Sequence, residues 1–242
     1  MAAVAGSVAG VGTAGAGGGF GSVTVDGVAI ERTPGLIPYP EALARMEQLV
    51  AEIAAGRAAE RIWFLEHPPV VTAGTSARPE ELIEPDRFPV VAVGRGGRYT
   101  WHGPGQRVVY VLLNLDRRGR DVRRLVAGLE GWAIGALARL GLNARRSATG
   151  TGIWVGEGTD EAKIGAIGLR VRRRVSFHGM AINVSPDLSA FRAIVPCGLA
   201  GSRVTRLVDL RPDAEMAALD AALLAEAGGF LAALRAVPAD SA

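Results

Sequence analysis

Apolar positions fall in two rhythms along the chain. In residues 39–56, Leu43, Met46, Leu49, Val50 and Ile53 recur at three- and four-residue spacing behind Pro40, which predicts a helix that Gly56 ends. Residues 122–140 repeat the pattern through Leu125, Leu129, Trp132, Ile134, Leu137 and Leu140, stopped by Gly141. A third helix is expected from Pro212, with Met216, Leu219, Leu223, Leu224, Phe230 and Leu231 on its apolar side and Gly228-Gly229 as a break. Between these lie shorter apolar runs that predict strands: 21–31, 61–66, a buried one at 89–93, a well-covered one at 107–115, then 152–155, 163–171 and 175–184. His67-Pro68-Pro69 sets a turn after the second of them. The order of helices and strands predicts an α+β fold: one domain over 21–237, a mixed or antiparallel sheet flanked by helices, and no regular βαβ alternation. Residues 1–20 carry no charge and are rich in Ala and Gly. They lack the positive start and solid apolar core of a secretory signal, so a flexible leader is expected there.

Composition narrows the class. Of the 242 residues, 49% are hydrophobic and 21% charged, enough for a core and unlike a disordered or collagen-like chain. No stretch of eighteen apolar residues free of glycine occurs, so no membrane span or membrane partner is expected. One cysteine makes no internal disulfide, which fits a reducing cytoplasm. Net charge is +3, and among the 27 basic residues Lys163 is the sole lysine. Where arginine supplies positive charge everywhere else, a lone lysine points to a task guanidinium cannot do, such as giving up its proton. A leftover surface lysine fits the composition equally well.

Three places carry candidate chemistry. Residues 95–106 read RGGRYTWHGPGQ, between two expected strands. Glycine pairs let backbone N–H groups approach a ligand, and Thr100 and His102 share a side if the segment is extended. A plain glycine-rich hairpin is the alternative. The segment is no Walker loop, lacking GxxxxGK[ST], and no dinucleotide fingerprint, lacking a following helix. Lys163 has apolar and tiny neighbours (KIGAIG), a setting that favours the neutral amine needed by a general base. An edge-guarding lysine is the other reading. Cys197 sits in a Pro-Cys-Gly turn. It is either a small buried apolar residue or a nucleophile, which needs a base or cation beside it. Lys163 and the three histidines, His67, His102 and His178, are the available partners. The spacing of His and Cys fits no zinc site. Arg170, Arg172 and Arg174 are expected on one face of a strand with Arg173 opposite, as a solvated face or a docking patch for an acidic protein.

Taken together, LEHPPVVTAG (65–74), RGGRYTWHGPGQ (95–106), KIGAIGLRVRRRVSFHGMAINV (163–184) and PCGLAGSRVT (196–205) resemble the lipoyl(octanoyl) transferases. The four blocks come in family order over about residues 60–210; Trp101 replaces the usual Tyr. The resemblance implies a biotinyl/lipoyl protein ligase-like fold. It also implies transfer of an octanoyl group from octanoyl-acyl carrier protein to a specific lysine. The implied acceptors are lipoyl domains of 2-oxoacid dehydrogenase E2 subunits and the glycine cleavage H protein. No cofactor, metal, nucleic acid or membrane is implied. By the same resemblance Cys197 carries the acyl thioester and Lys163 is its base. Substrate-binding segments fall on Arg95, Gly96, Gly97, Arg98, Tyr99, Thr100, Trp101 and His102; on Ala166, Ile167 and Gly168; and on Gly179, Met180 and Ala181. Two rivals are an ATP-dependent lipoate or biotin ligase of the same fold, which needs no cysteine, and an arginine-rich RNA-binding domain, for which 5% aromatic residues offer few stacking platforms.

Overall fold

The computed structural model describes residues 21–148, 150–195 and 203–235. The expected leader over 1–20 lies outside them. The chain enters through a hairpin: β1 (Ser22–Val25) and β2 (Val28–Leu36) pair antiparallel across Asp26-Gly27. Both turn residues have positive φ, 52° and 75°, the two-residue geometry whose twist matches that of the strands. The single strand expected over 21–31 is therefore two.

Helix α1 (Tyr39–Ala54) starts after Pro38 and carries Pro40 in its first turn, close to where its spacing predicts. There follow β3 (Arg61–Glu66), β4 (Val70–Ala73), β5 (Val90–Ala92), β6 (Tyr99–His102) and β7 (Gln106–Leu112). Next come α2 (Val122–Arg139), β8 (Ala144–Ser147), β9 (Gly150–Val155), β10 (Ala162–Arg172) and β11 (Val175–Asn183). The chain closes with β12 (Arg203–Val204), the short α3 (Leu207–Leu210) and α4 (Met216–Ala233). The large sheet runs β1-β2-β3-β7-β11-β10-β9-β8, with β12 beside β10. It is mixed: β2·β3 and β10·β12 are parallel, and the remaining pairs antiparallel. A small second sheet, β5-β4-β6, stands apart. Its β5 is an exposed edge, Val90 being 41% accessible, rather than the buried strand expected.

Both faces of the large sheet are covered, which is why its central strands read as unbroken apolar runs. Ile62, Phe64, Val109 and Val111 pack under α2 and α4, with Leu129, Trp132, Leu223 and Phe230. The alternate residues Trp63, Leu65, Val108 and Leu112 pack under α1, with Met46 and Val50. Helix α4 begins four residues after Pro212 and runs through Gly228-Gly229 without a break. Burial of Ala227, Phe230 and Leu231 offsets about 1 kcal/mol per helical glycine. By length and apolarity α4 matches a membrane span, unlike the expectation, but its inner side packs into this core. A buried ion pair, Arg107 to Asp220 at 2.7 and 2.9 Å, ties α4 to β7.

The arginine run ends differently from expectation. β10 stops at Arg172, and Arg173-Arg174 form the turn to β11 with φ of 52° and 64°. Arg174 therefore does not continue the face of Arg170 and Arg172. Arg172 pairs with Glu47 at 3.3 Å and Arg174 with Asp116 at 3.0 Å.

Candidate active site

A slip in one strand aims the lone lysine. Ile164, Ile167 and Leu169 of β10 all lie against the α2/α4 core. Strict alternation would forbid 164 and 167 sharing a face. The register of β10 against β9 shifts between Lys163 and Gly165, and such a shift re-aims side chains. It puts Lys163 on the α1 face together with Ala166 and Gly168. Lys163 is 7% exposed, and its Nζ donates to Thr151 O at 2.9 Å and lies 5.1 Å from the Trp154 ring centroid. Gly152 makes room for it: its φ is 139°, and a Cβ there would sit 2.5 Å from Lys163 Cε. The strands on either side of the Lys163 backbone are β9, through Trp154, and β12, through Val204.

Beyond Lys163 the same face is nearly bare. Ala166 opposes Ala181 and Gly168 opposes Gly179 in register. β9 pairs with β10 only as far as Gly165, and beyond that Gly96 N–H donates to Leu169 O at 2.8 Å. Two pairs of small residues, a departing strand and a docked loop leave a cavity of about 420 Å³, within the range of small-molecule sites. Val108 and Tyr110 lie beside the small residues, β6 and residues 95–98 form the opposite wall, and Tyr39 of α1 also lines it. The loop is held by Arg95, buried and bonded to Gly96 O, Arg98 O, Thr72 O and Thr72 Oγ1 at 2.7–3.0 Å. Arg98 is ion-paired with Glu81.

Around this apolar trough sit three buried, neutral imidazoles. Burial pushes His67 down to about 4, despite its 2.6 Å bond to Ile37 O. Neutral His67 donates from Nδ1 to that carbonyl, so Nε2 accepts from the Tyr110 hydroxyl at 2.7 Å. Burial, helped by His67, pushes His102 down to about 3. His102 Nδ1 donates to Gln106 Oε1 at 2.6 Å, Gln106 Nε2 donates to Asn183 Oδ1, and Asn183 Nδ2 donates to Thr205 O. Thr205 N–H in turn donates to Lys163 O at 3.0 Å, so the relay ties His102 to the lysine strand. Burial and the charges of Arg95 and Arg170 push His178 down to about 3. Burial drives the Tyr39 hydroxyl up to about 12 against the pull of Arg95.

The cavity gathers most of the residues singled out from the sequence. Lys163, residues 95–100, His102, residues 166–168 and residues 179–181 all line it. Trp101 does not. It is on the other side of β6, against Phe88 and Phe191, as period-two alternation from Thr100 and His102 requires. Cys197 lies outside the described residues. Tyr39, Tyr110, Ser76, Val108 and Thr151 also line the cavity; sequence reasoning passed over them because Tyr39, Val108 and Tyr110 sit in ordinary amphipathic or apolar runs and Ser76 and Thr151 in short polar segments beside glycine. His67 carried a signal, standing next to two prolines at a strand end.

Comparison with known proteins agrees with this geometry. A family model described as the lipoyl protein ligase A/B catalytic domain matches residues 38–228. An octanoyltransferase of Rhizorhabdus wittichii is 61% identical over 203 residues, 84% of this chain and 91% of the relative. One from Cereibacter sphaeroides is 58% identical, covering 79% and 92%. Among solved structures, a bi-partite lipoate protein ligase from Thermoplasma acidophilum, studied with its E2 lipoyl domain, superposes with TM-score 0.61 at 20% identity over 86% of this chain and 85% of that one. That likeness establishes the shared fold.

Proposed function

The chain belongs to the lipoyl protein ligase A/B catalytic-domain family and is an acyltransferase that moves octanoyl groups in protein lipoylation; from that premise we propose the donor, the acceptor and the residues that do the chemistry. The donor is octanoyl-acyl carrier protein, and the acceptor is a lysine of a lipoyl domain. Cys197 carries the acyl group as a thioester and Lys163 moves the protons. The observation that supports this most is Lys163 itself, buried at the head of a trough made by two pairs of small residues. The chain that carries Cys197 rejoins the sheet at Arg203–Val204, directly beside Ala162–Lys163.

In the first half-reaction the Lys163 amine takes the Cys197 proton. The thiolate attacks the thioester carbonyl, and the carrier's thiolate leaves and takes the proton back from Lys163. One thioester replaces another, so the step is nearly balanced in energy. In the second, the acceptor amine attacks the acyl-cysteine, Cys197 leaves as thiolate, and the proton lost from nitrogen returns to sulfur through Lys163. An amide replaces a thioester, which drives transfer forward. Burying the alkyl chain in the trough contributes roughly 5 kcal/mol at about 0.8 kcal/mol per methylene. Residues 95–100, His102, 166–168 and 179–181 are the binding walls. Trp101 supports β6 from behind.

The experiment mixes the protein with octanoyl-carrier protein and a lipoyl domain, without nucleotide, and follows intact masses. The expected result is one octanoyl group on the domain and a hydroxylamine-sensitive octanoyl adduct on the enzyme, absent from Cys197→Ser. Transfer that starts only with free octanoate and ATP, with pyrophosphate release, overturns the reading in favour of a ligase.

A further inference from the structure

The peptide joining Thr151 to Gly152 is held from both ends. Its oxygen, on Thr151, accepts from Lys163 Nζ at 2.9 Å. Its N–H, on Gly152, donates to Glu130 Oε1 at 3.1 Å. In a trans peptide these two groups point in opposite directions, so a carboxylate, a peptide and the lysine amine stand in a row. Glu130 comes from α2, across the sheet from the cavity, and is the only charged side chain among the buried residues of that helix. Its second oxygen accepts from Arg146 Nε at 2.9 Å, and Arg146 Nη2 donates to Ala127 O at 2.7 Å. The ion pair alone does not account for the burial. The Arg146 side chain is 55% exposed, and a pair so open to water contributes little, whereas burying a carboxylate is costly.

The backbone at this point needs a clamp. Thr151 stands between Gly150 and Gly152, and glycine leaves a neighbouring peptide freest to turn. The strand pairing around it is irregular: β8 and β9 shift register between Arg145 and Ser147, and β9 and β10 between Lys163 and Gly165. Gly152 must also stay glycine, since a Cβ there would lie 2.5 Å from Lys163 Cε and 3.0 Å from Nζ. The softest stretch of backbone thus lies against the one lysine, and the bond to Glu130 fixes which way its carbonyl points. With the peptide turned, Thr151 O faces away from Nζ, and the flexible lysine stem loses the bond that orients its nitrogen.

Resting on the reading of Lys163 as the group that moves the protons, we propose that Glu130 is a positioning residue for that step. By holding the Gly152 N–H it aims Thr151 O at the amine, and the bond to Thr151 O fixes the direction in which the nitrogen takes up and returns a proton. Glu130 acts through the peptide alone, reaching past the sheet edge from the α2 side to the cavity side.

The test compares Glu130→Gln, Glu130→Asp and Glu130→Leu by kcat and KM with octanoyl-carrier protein, and by NMR of isotopically labelled lysine, which reads Lys163 alone because the chain has no other lysine. Glu130→Gln keeps an oxygen within reach of Gly152 N–H and loses the ion pair. Glu130→Asp keeps the charge for Arg146 but draws it back by one methylene from Gly152. Glu130→Leu removes both bonds. The expected result in Glu130→Asp and Glu130→Leu is kcat lowered about thirtyfold with KM within about twofold of wild type. In both, the two Cε protons of Lys163, distinct in wild type, merge to one averaged shift. Glu130→Gln should keep kcat within about threefold, its neutral oxygen being a weaker acceptor, and leave the lysine signals distinct. A carboxylate kept only for its ion pair gives the reverse order, with Glu130→Asp active and Glu130→Gln impaired, and overturns the proposal; so do lysine signals unmoved in every folded variant. If Glu130→Leu fails to fold, the order of the other two still decides. Lys163→Met with wild-type activity overturns the parent reading and this one together, whereas an inactive Lys163→Met beside a fully active Glu130→Asp overturns only the positioning role.

Discussion

The two faces of the large sheet are built on opposite plans. Under α2 and α4 every position is filled: Trp132 stacks on Phe230 at 4.7 Å and donates to Leu223 O at 2.8 Å, among Leu125, Leu129 and Ile153. Under α1 the same strands are filled at one end by Trp63 and Leu65 and left bare at the other by Ala166, Gly168, Gly179 and Ala181. Polar groups gather at the bare end, with three imidazoles held neutral by burial and a lysine turned in by a register slip. One face supplies stability and the other keeps space, so substitutions on the two faces should separate folding from catalysis.

Lys163→Met tests the catalytic face at its centre. We expect kcat/KM to fall about a thousandfold, with stability changed by only about 1 kcal/mol for the lost bond to Thr151 O. A variant within tenfold of wild type removes Lys163 from the mechanism. The mirror experiment is Trp132→Ala, expected to cost about 4 kcal/mol in denaturant unfolding while leaving kcat/KM of the folded protein unchanged. Lost activity there at temperatures where the variant is folded would show the faces to be coupled.

Gly179→Ala probes whether the bare end must be bare. Its Cβ would lie 2.1 Å from Val109 O, a backbone atom of the neighbouring strand. Separating β7 from β11 to admit it should cost about 3 kcal/mol and distort the trough, so stability and transfer fall together. Acid is the gentlest probe. The three histidines have folded-state pKa values of about 4, 3 and 3 against an ordinary 6.5, so the unfolded chain binds more protons as pH drops below 6.5. Their stabilisation is complete above that pH and is lost as pH falls toward the folded values. Between pH 7 and pH 6 the three together should remove roughly 2 kcal/mol of stability; a flat profile would mean the rings are not held neutral.

The filled face was the legible one. Burial on both sides makes periodicity strong, and α1, α2, β3, β7, β10 and β11 fall within a few residues of where spacing puts them. Legibility fails where geometry depends on one or two residues. The Asp26-Gly27 turn split an expected strand because two residues of positive φ reverse the chain without altering the alternation around them. The strands of the small sheet are three or four residues long, too short to show whether they are covered, so β5 read as buried and is an edge. The chemistry-bearing blocks at 95–106 and 163–168 were visible because glycine, histidine, arginine and a lone lysine crowd there beyond any packing need. The slip that aims Lys163 depends on hydrogen bonds to other strands, which no local pattern encodes.

The account rests on a working pair of Lys163 and Cys197, and Cys197 is the only thiol in the chain, so alkylation of the whole protein reads that one group. The direct measurement is the pH dependence of iodoacetamide alkylation in wild type and Lys163→Met. The account predicts that wild type alkylates with an apparent pKa well below the ~8.5 of a free thiol, and that removing the amine returns it to that range. Superimposable profiles in the two proteins would contradict it.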